Sequence, residues 1–442
     1  MWRRTHRQAG DAPQVIVVGA GFAGMAAVEE LDRAGAQVLL IDRNVYSTFQ
    51  PLLYQVATGG LNPGDVSYPA RAFTRGRGAR FRLGDVTGVD PVRRQVTLAD
   101  GGRFDYDYLI LATGVSAAYY GVAGAAEHSL GLYTRRDADE LRNHLMARLE
   151  RLDIAGPGKS VNFTVVGGGA TGVELAGALA ELRSTALDAA FPEVDLASVH
   201  IRLVEQADSL LLPFEPGLRE YARHQLEARG VEVRLNTAIQ EVHSDRVILA
   251  DGEDLPSDVT VWAAGVSAPA EVADWQLPQG RGGRILTRPD LRVLGQDRIF
   301  ALGDFALIED QPLPQLAQPA LQAGRHAARQ IRRLAAGEPA LAFHYHDKGI
   351  MATIGRRSAV VELPRRIRIR GTLAWLAWLA LHLLALLGNR NRLSAVLNLS
   401  WRYLTWGHGG GIIVGDDPAP FLVDGPLPVG SDRGHGSGPS GA

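Results

Sequence analysis

The sequence predicts an α/β protein in which one parallel-sheet domain is inserted into another, with a helical segment appended at the C-terminus. Three observations predict it. A β-branched run that breaks into glycines and then takes up helical apolar spacing occurs twice, from Gln14 to Gly24 and from Ser160 to Glu174. Short apolar runs at Tyr108 to Leu111, Val259 to Trp262 and Ile299 to Ala301 each lead to a glycine: Gly114, Gly265 and Gly303. Beyond residue 365 the composition changes to arginines flanking an apolar, helix-length stretch.

The first glycine turn reads Gly19-Ala20-Gly21-Phe22-Ala23-Gly24. Its glycines have separate tasks: a tight turn, close backbone approach to a pyrophosphate, and close packing of helix on strand, with the helix N-terminus supplying positive potential. Asp42 ends the next strand, where a carboxylate can accept hydrogen bonds from ribose hydroxyls. Together these features predict a Rossmann-like dinucleotide-binding unit, against the plainer reading of a glycine-rich turn with no ligand. Ala112, Thr113 and Gly114 follow a strand at a second phosphate-proximal turn.

The second turn, Gly167-Gly168-Gly169-Ala170-Thr171-Gly172, repeats the pattern, and Glu205 ends the following strand. Glu205 lies well beyond the usual separation of about 20 residues from the turn, which predicts an insertion around Ser184 to Ser198. A glutamate here accepts from both ribose hydroxyls and repels a 2′-phosphate, so NADH is expected over NADPH. Ala264 and Gly265 form the matching turn after the strand at Val259. Glu174 has two readings: a favourable carboxylate near a helix N-terminus, or a group near the nicotinamide that positions the ring or couples proton movement to electron transfer.

Two dinucleotide sites predict that one holds FAD tightly and the other binds NADH as substrate. The N-terminal turn joined to the distant Gly303-Asp304 segment describes a discontinuous FAD domain, 1–120 and 285–345, with the NADH domain, 121–284, inserted in it. Asp304 either binds the ribityl chain of the flavin or merely caps a turn.

The chain contains no cysteine, which excludes a disulfide framework and any catalytic dithiol, so a cofactor must carry the electrons. The formal net charge of −2 gives no reason to expect a nucleic-acid partner. The N-terminal basic residues lack the apolar stretch of a signal peptide, and the catalytic part is expected to stay in the cytoplasm.

The run from Leu373 to Leu387 is apolar all round but short of the ~20 residues that span a bilayer. Arg365, Arg366, Arg368 and Arg370 precede it, Arg390, Arg392 and Arg402 follow it, and Trp375, Trp378, Trp401 and Trp406 are near. That pattern predicts a membrane-association region, 346–410, lying in the interface of a bilayer, with a second segment, Leu393 to Leu404, flat beside it. A buried helical hairpin at a homodimer interface is the competing reading. The tail, 411–442, has the composition of a disordered segment.

The chain resembles the type II NADH:quinone oxidoreductases through about residue 410. The residues that carry the resemblance are the two glycine turns with Val173-Glu174, the stretch from Phe49 to Gly59, Ala112-Thr113-Gly114, Ala301 to Asp304, Ala317 to Gln322, and Asp347 to Gly355. The Pro51-Leu52-Leu53-Tyr54-Gln55 and Ala317-Gln318-Pro319-Ala320-Leu321-Gln322 segments are the most particular.

The resemblance implies a fold of two dinucleotide-binding domains and hydride transfer from NADH to FAD, then to ubiquinone or menaquinone. It also implies that Gln318 and Gln322 are quinone-side residues. Ala317, Gln318 and Lys348 would touch the flavin, while Asp42, Arg43 and Val86 would hold the adenosine half. Gln318 and Gln322, four residues apart, fall on one helix face. Where similar proteins often carry histidine after Asn44, this chain reads Val45-Tyr46-Ser47-Thr48. His344 and His346 alternate around Tyr345, but with no carboxylate or thiol cluster beside them no metal site is expected.

The resulting expectation is a peripheral enzyme on the cytoplasmic face of the inner membrane that pumps no protons. A soluble NADH-dependent reductase of an iron–sulfur protein and a redox-sensing flavoprotein are the rivals.

Overall fold

The computed structural model describes residues 12–405 apart from Ala34, Glu309, Asp310 and Pro312. Trp406, the side chain of Arg402 and the tail 411–442, about which expectations were drawn above, lie outside the described residues. The chain divides into two compact units. The first comprises 12–49, 67–118 and 266–349; the second comprises 50–66, 119–265 and 350–405.

The first unit is built on a five-stranded parallel sheet in the order Ile299–Ala301, Tyr108–Leu111, Gln14–Val18, Gln37–Asp42, Arg80–Leu83. The central strand is buried along its whole length, as continuous Val and Ile runs in a parallel sheet require. Helix Phe22–Asp32 follows the first strand, and helix Ala317–Ala335 packs along it. Gly324 permits this approach: a Cβ there would stand 2.2 Å from the carbonyl oxygen of Ala23. A three-stranded antiparallel sheet, Val86–Asp90, Gln95–Leu98 and Arg103–Asp105, contributes Val86, Val96 and Leu98 to the same core.

The second unit repeats the plan with a four-stranded parallel sheet, Val231–Arg234, Val199–Val204, Val161–Val166 and Val259–Trp262, and helix Ala170–Glu181 after its glycine turn. Between that helix and strand Val199–Val204 the chain continues through a π-helical turn, Leu182–Ala186, the short helix Leu187–Ala190 and a turn at Leu196–Ser198. This is the insertion that displaces Glu205 along the sequence.

Three placements differ from the sequence reading. Residues 266–284, expected in the inserted domain, group with the first unit. The segment 50–66 groups with the second unit, because helix Leu53–Ala57 packs on helices Arg135–Ala155 and Ala170–Glu181. The C-terminal region is not helical throughout. It opens with an antiparallel sheet, Ile350–Gly355, Ser358–Leu363 and Ile367–Arg370, and only then come helices Thr372–Ala385 and Asn389–Thr405.

Helix Asn389–Thr405 is tied down by a half-buried polar cluster. The carboxylate of Asp65 accepts from Ser394 Oγ at 2.6 Å and from Asn398 Nδ2 at 2.7 Å, while its Oδ2 also accepts from the backbone of Asn62 at 3.0 Å.

Candidate functional site

The two glycine turns share the same backbone hydrogen bonding. Gly19 N donates to Ile41 O and Gly167 N to Val204 O, both at 2.8 Å. Both glycines take left-handed φ values, +104° and +111°, which a Cβ would forbid sterically as well: it would lie 2.2 Å from Ala112 O and 2.6 Å from Ala263 O. At Gly24 and Gly172 a Cβ would sit 1.9 Å from the carbonyl oxygen of the first glycine of the turn, so only glycine lets the helix begin that close to its strand.

The acid at the end of the second strand closes each turn in the same way. Asp42 Oδ2 accepts from Ala20 N at 2.6 Å, and Glu205 Oε2 accepts from Gly168 N at 2.5 Å. Ala20 and Gly168 hold the same place in their turns. The other oxygens accept from Asn44 N at 2.6 Å and Ala207 N at 2.7 Å. Burial raises the pKa of Asp42, and the backbone donors at Ala20 and Asn44 oppose that rise. Each carboxylate oxygen retains a lone pair for a ligand hydroxyl.

The open space lies above these turns. Gly21 and Gly169 are the N-caps of their helices, neither helix has a side-chain cap, and a Cβ at either would meet nothing within 4 Å. Helix N-termini with no side-chain cap and open space at the N-cap are what an anion site needs, and the sequence reading assigns the first-turn N–H groups of Phe22, Ala23, Gly24 and Ala170 to that task. In the first unit the hydroxyl of Thr113, between Ala112 and Gly114, is enclosed and has no partner among the described residues. Arg43 is half exposed, 3.5 Å from Asp85 and 3.4 Å from Glu271, and Val86 is buried.

Asp304 sits in a short turn, Gly303–Phe305, whose N-cap is Leu302. Its carboxylate accepts no hydrogen bond among the described residues, so it does not cap that turn. Burial pushes its pKa up to about 6, with the Arg284 guanidinium pulling the other way. A polar ligand group is what this environment lacks.

Ala317 and Gln318 start helix Ala317–Ala335, and Gln322 lies one turn further on. Gln322 is already engaged: its Nε2 donates to His346 O at 2.9 Å and its Oε1 accepts from His346 N at 3.0 Å. Lys348 is exposed, in the same irregular segment. His344 and His346 are exposed, and no group of residues suited to a metal ion occurs among the described residues.

Glu174 is not in the first turn of its helix, and its side chain is buried, which sets aside the helix-terminus reading. Thr353 N donates to its Oε1 at 3.3 Å. Burial pushes its pKa up to about 8; the Thr353 N–H and the indole N–H of Trp378 oppose the shift, though the indole falls short of hydrogen-bond geometry. The periodicity of an all-apolar helix gave no sign that Trp378 faces inward.

Trp378 is 2% exposed, so it does not sit at a headgroup boundary. It stacks on His382 at 4.1 Å and packs against Tyr54 at 6.1 Å. His382 Nδ1 hydrogen-bonds the carbonyl of Trp378 at 2.7 Å, and burial lowers its pKa to about 4. At Gly265 a Cβ would stand 2.0 Å from the Tyr120 hydroxyl.

A buried acid of raised pKa has a sign for stability. Unfolded, Glu174 ionises near its ordinary value; folded, it holds its proton to about pH 8, so stability falls as pH rises through that window. The melting temperature of the wild type is expected to fall by a few degrees more than that of Glu174→Gln between pH 5.5 and 8.5. Parallel melting curves across that range would contradict the burial of a neutral carboxyl.

Residues 13–324 match the model of the pyridine nucleotide-disulphide oxidoreductase family. The type II NADH:quinone oxidoreductase Ndh of Mycobacterium tuberculosis is 34% identical over 90% of this chain and 89% of its own length. That of Staphylococcus aureus is 32% identical over 79% of this chain and 89% of its own. Among solved structures, NDH2 from Plasmodium falciparum in complex with NADH superimposes with a TM-score of 0.81 at 18% identity, covering 89% of this chain and 99% of that one, which shows a shared fold. Carrying both glycine turns and no cysteine, and matched across nearly their full length by these relatives, the chain belongs to the type II NADH:quinone oxidoreductases, within the pyridine nucleotide-disulphide oxidoreductase family.

Proposed function

We propose that the chain oxidises NADH at the second glycine turn, through FAD held at the first, and reduces a membrane quinone. The observation that carries this reading is the repeated closure of a glycine turn by an acid, Asp42 on Ala20 and Glu205 on Gly168. Bound FAD supplies the capacity to take a hydride from NADH and to release two electrons to quinone.

The chain's own residues bind and orient. Gly19 makes the tight turn, Gly21, Phe22, Ala23 and Gly24 present backbone N–H groups to a pyrophosphate, Asp42 takes the ribose hydroxyls, and Arg43 and Val86 flank the adenosine. Thr113, Asp304, Ala317, Gln318 and Lys348 are assigned to the flavin half; the unpartnered hydroxyl of Thr113 and the unsatisfied carboxyl of Asp304 fit a polyhydroxyl chain. Gly167, Gly169, Gly172, Glu205, Ala264 and Gly265 are assigned to NADH. Glu174 holds a proton at neutral pH in a water-poor surrounding and is assigned to the nicotinamide end of that site.

The same proposal places the enzyme on the cytoplasmic face of the inner membrane. Leu373, Leu384, Leu393, Leu397 and Trp401 are all exposed by more than half, next to exposed Arg365, Arg366, Arg368, Arg370, Arg390 and Arg392. No helix among the described residues is long and apolar enough to cross a membrane, so the surface suits interfacial attachment to anionic lipid. This strip favours quinone in a bilayer over a soluble iron–sulfur partner.

Purified protein should oxidise NADH rapidly only when a short-chain quinone is added, and NADPH at least about tenfold more slowly. Quinone-independent turnover, or equal use of both nucleotides, would sink the reading. In vesicle co-sedimentation the protein should bind anionic phospholipid, and Leu373→Ser with Leu384→Ser should weaken binding about tenfold or more. Binding unchanged by the double variant would overturn lipid attachment through this face, and a salt-resistant dimer that buries it and ignores vesicles would show a second copy to be its occupant instead.

A further inference from the structure

Helix Ala317–Ala335 carries Gln322, His326 and Gln330 at four-residue spacing, and hence on one stripe. All three side chains bond the backbone of the segment 341–346, which belongs to no sheet. Gln322 makes a two-way pair with His346, at 2.9 and 3.0 Å. Gln330 Oε1 accepts from Leu341 N at 2.8 Å, and His326 Nε2 meets Leu341 O at 2.9 Å.

A carbonyl oxygen can only accept, so the Nε2–H of His326 is the donor in that contact; burial lowers the pKa of the ring. Between the two anchored ends, Phe343 packs edge-on against the His326 ring at 5.3 Å and donates its N–H to Pro289 O at 2.8 Å. The helix side chains thus supply what a neighbouring strand would otherwise supply.

We propose that Gln322, His326 and Gln330 form one positioning ladder that sets the register of 341–348, so that Gln322 serves the quinone half-reaction through Lys348 and its segment rather than as a direct ligand of the quinone. The proposal rests on the assignment of Lys348 and the acceptor to this part of the chain. It follows from the occupancy of Gln322: both ends of its amide are held by one backbone residue, which leaves a single N–H and one lone pair. It also follows from continuity, because His346 is two residues from Lys348 and the chain between them is braced by Asp347 Oδ1 accepting from Gly349 N at 2.8 Å.

A ladder acts as a unit, so losing a distant rung must be felt at the near end. Gln330 lies eight residues past Gln322, about 12 Å along the helix axis, too far to touch what Gln322 touches. The flavin-loaded full-length protein is compared with Gln322→Met, Gln330→Met, His326→Leu and His326→Gln. Two quantities are read: hydrogen exchange of a peptide spanning 340–349 by mass spectrometry, and steady-state kinetics with a short-chain quinone beside anaerobic flavin bleaching by NADH.

Gln330→Met is expected to speed exchange in 341–346 about fivefold or more, the loss of roughly one net hydrogen bond. It should also raise the quinone KM severalfold while leaving bleaching by NADH within about twofold. His326→Gln, which keeps a donor for Leu341 O, should lie nearer the wild type than His326→Leu in both readouts. If Gln330→Met fails to fold, the His326 pair carries the same comparison.

The ladder is overturned if Gln330→Met and His326→Leu leave exchange and quinone KM unchanged while Gln322→Met alone raises KM. A wild type without quinone-dependent turnover would instead defeat the functional assignment, and exchange would still decide whether the rungs act together.

Discussion

A carboxylate folded back onto the backbone of a glycine turn is the interaction on which both halves of this molecule depend. Asp42 on Ala20 N and Glu205 on Gly168 N each lock the end of a second strand to the start of a first helix. Such charge-assisted bonds are worth about 1.5–3 kcal/mol apiece where solvent is scarce. They fix where the ribose-binding carboxylate stands relative to the helix N-terminus that would take the pyrophosphate. The glycines on either side are constrained by the same geometry, since a Cβ at Gly24 or Gly172 would drive into the turn itself. Turn conformation and the start of the helix are constrained by this arrangement in both units.

This much was legible in the sequence because it is local and periodic. The Val and Ile runs, the glycine spacing, Asp42 and Glu205, and the four-residue spacing that puts Gln318 and Gln322 on one helix face all announce themselves within a few residues of their own position. The features that escaped are those in which one partner has no pattern. In segment 341–346 the alternation of His344 and His346 around Tyr345 has the period of a strand, yet the segment joins no sheet, and nothing in it signalled that Gln322, His326 and Gln330 hold it; only the four-residue spacing of those three could have hinted at a polar stripe with a purpose. Thr353 and Trp378 lie far along the chain from Glu174, and an apolar helix does not state which of its faces is turned inward.

In the C-terminal region composition was silent about architecture. Arginines and exposed leucines are where the sequence put them, yet a three-stranded sheet precedes the helices, and Trp378 is buried against Tyr54 and His382. The outward residues Leu373, Leu384, Leu393, Leu397 and Trp401 are the ones left to meet another apolar surface. Helix Asn389–Thr405 presents part of that surface from a fixed position, because Asp65 holds it through Ser394 and Asn398. The C-terminal helix is thereby joined to segment 50–66 by ordinary hydrogen bonds within one unit.

The assignment of two distinct nucleotide sites to the two carboxylates is the centre of this account, and Glu205→Gln tests it most directly. Flavin content and the anaerobic rates of flavin bleaching by NADH and by NADPH would be measured on the purified variant. The account predicts full flavin content with the preference for NADH reduced about tenfold or more, because the carboxylate that repels a 2′-phosphate is gone while Asp42 is untouched. Loss of flavin with an unchanged preference between the two nucleotides would contradict it.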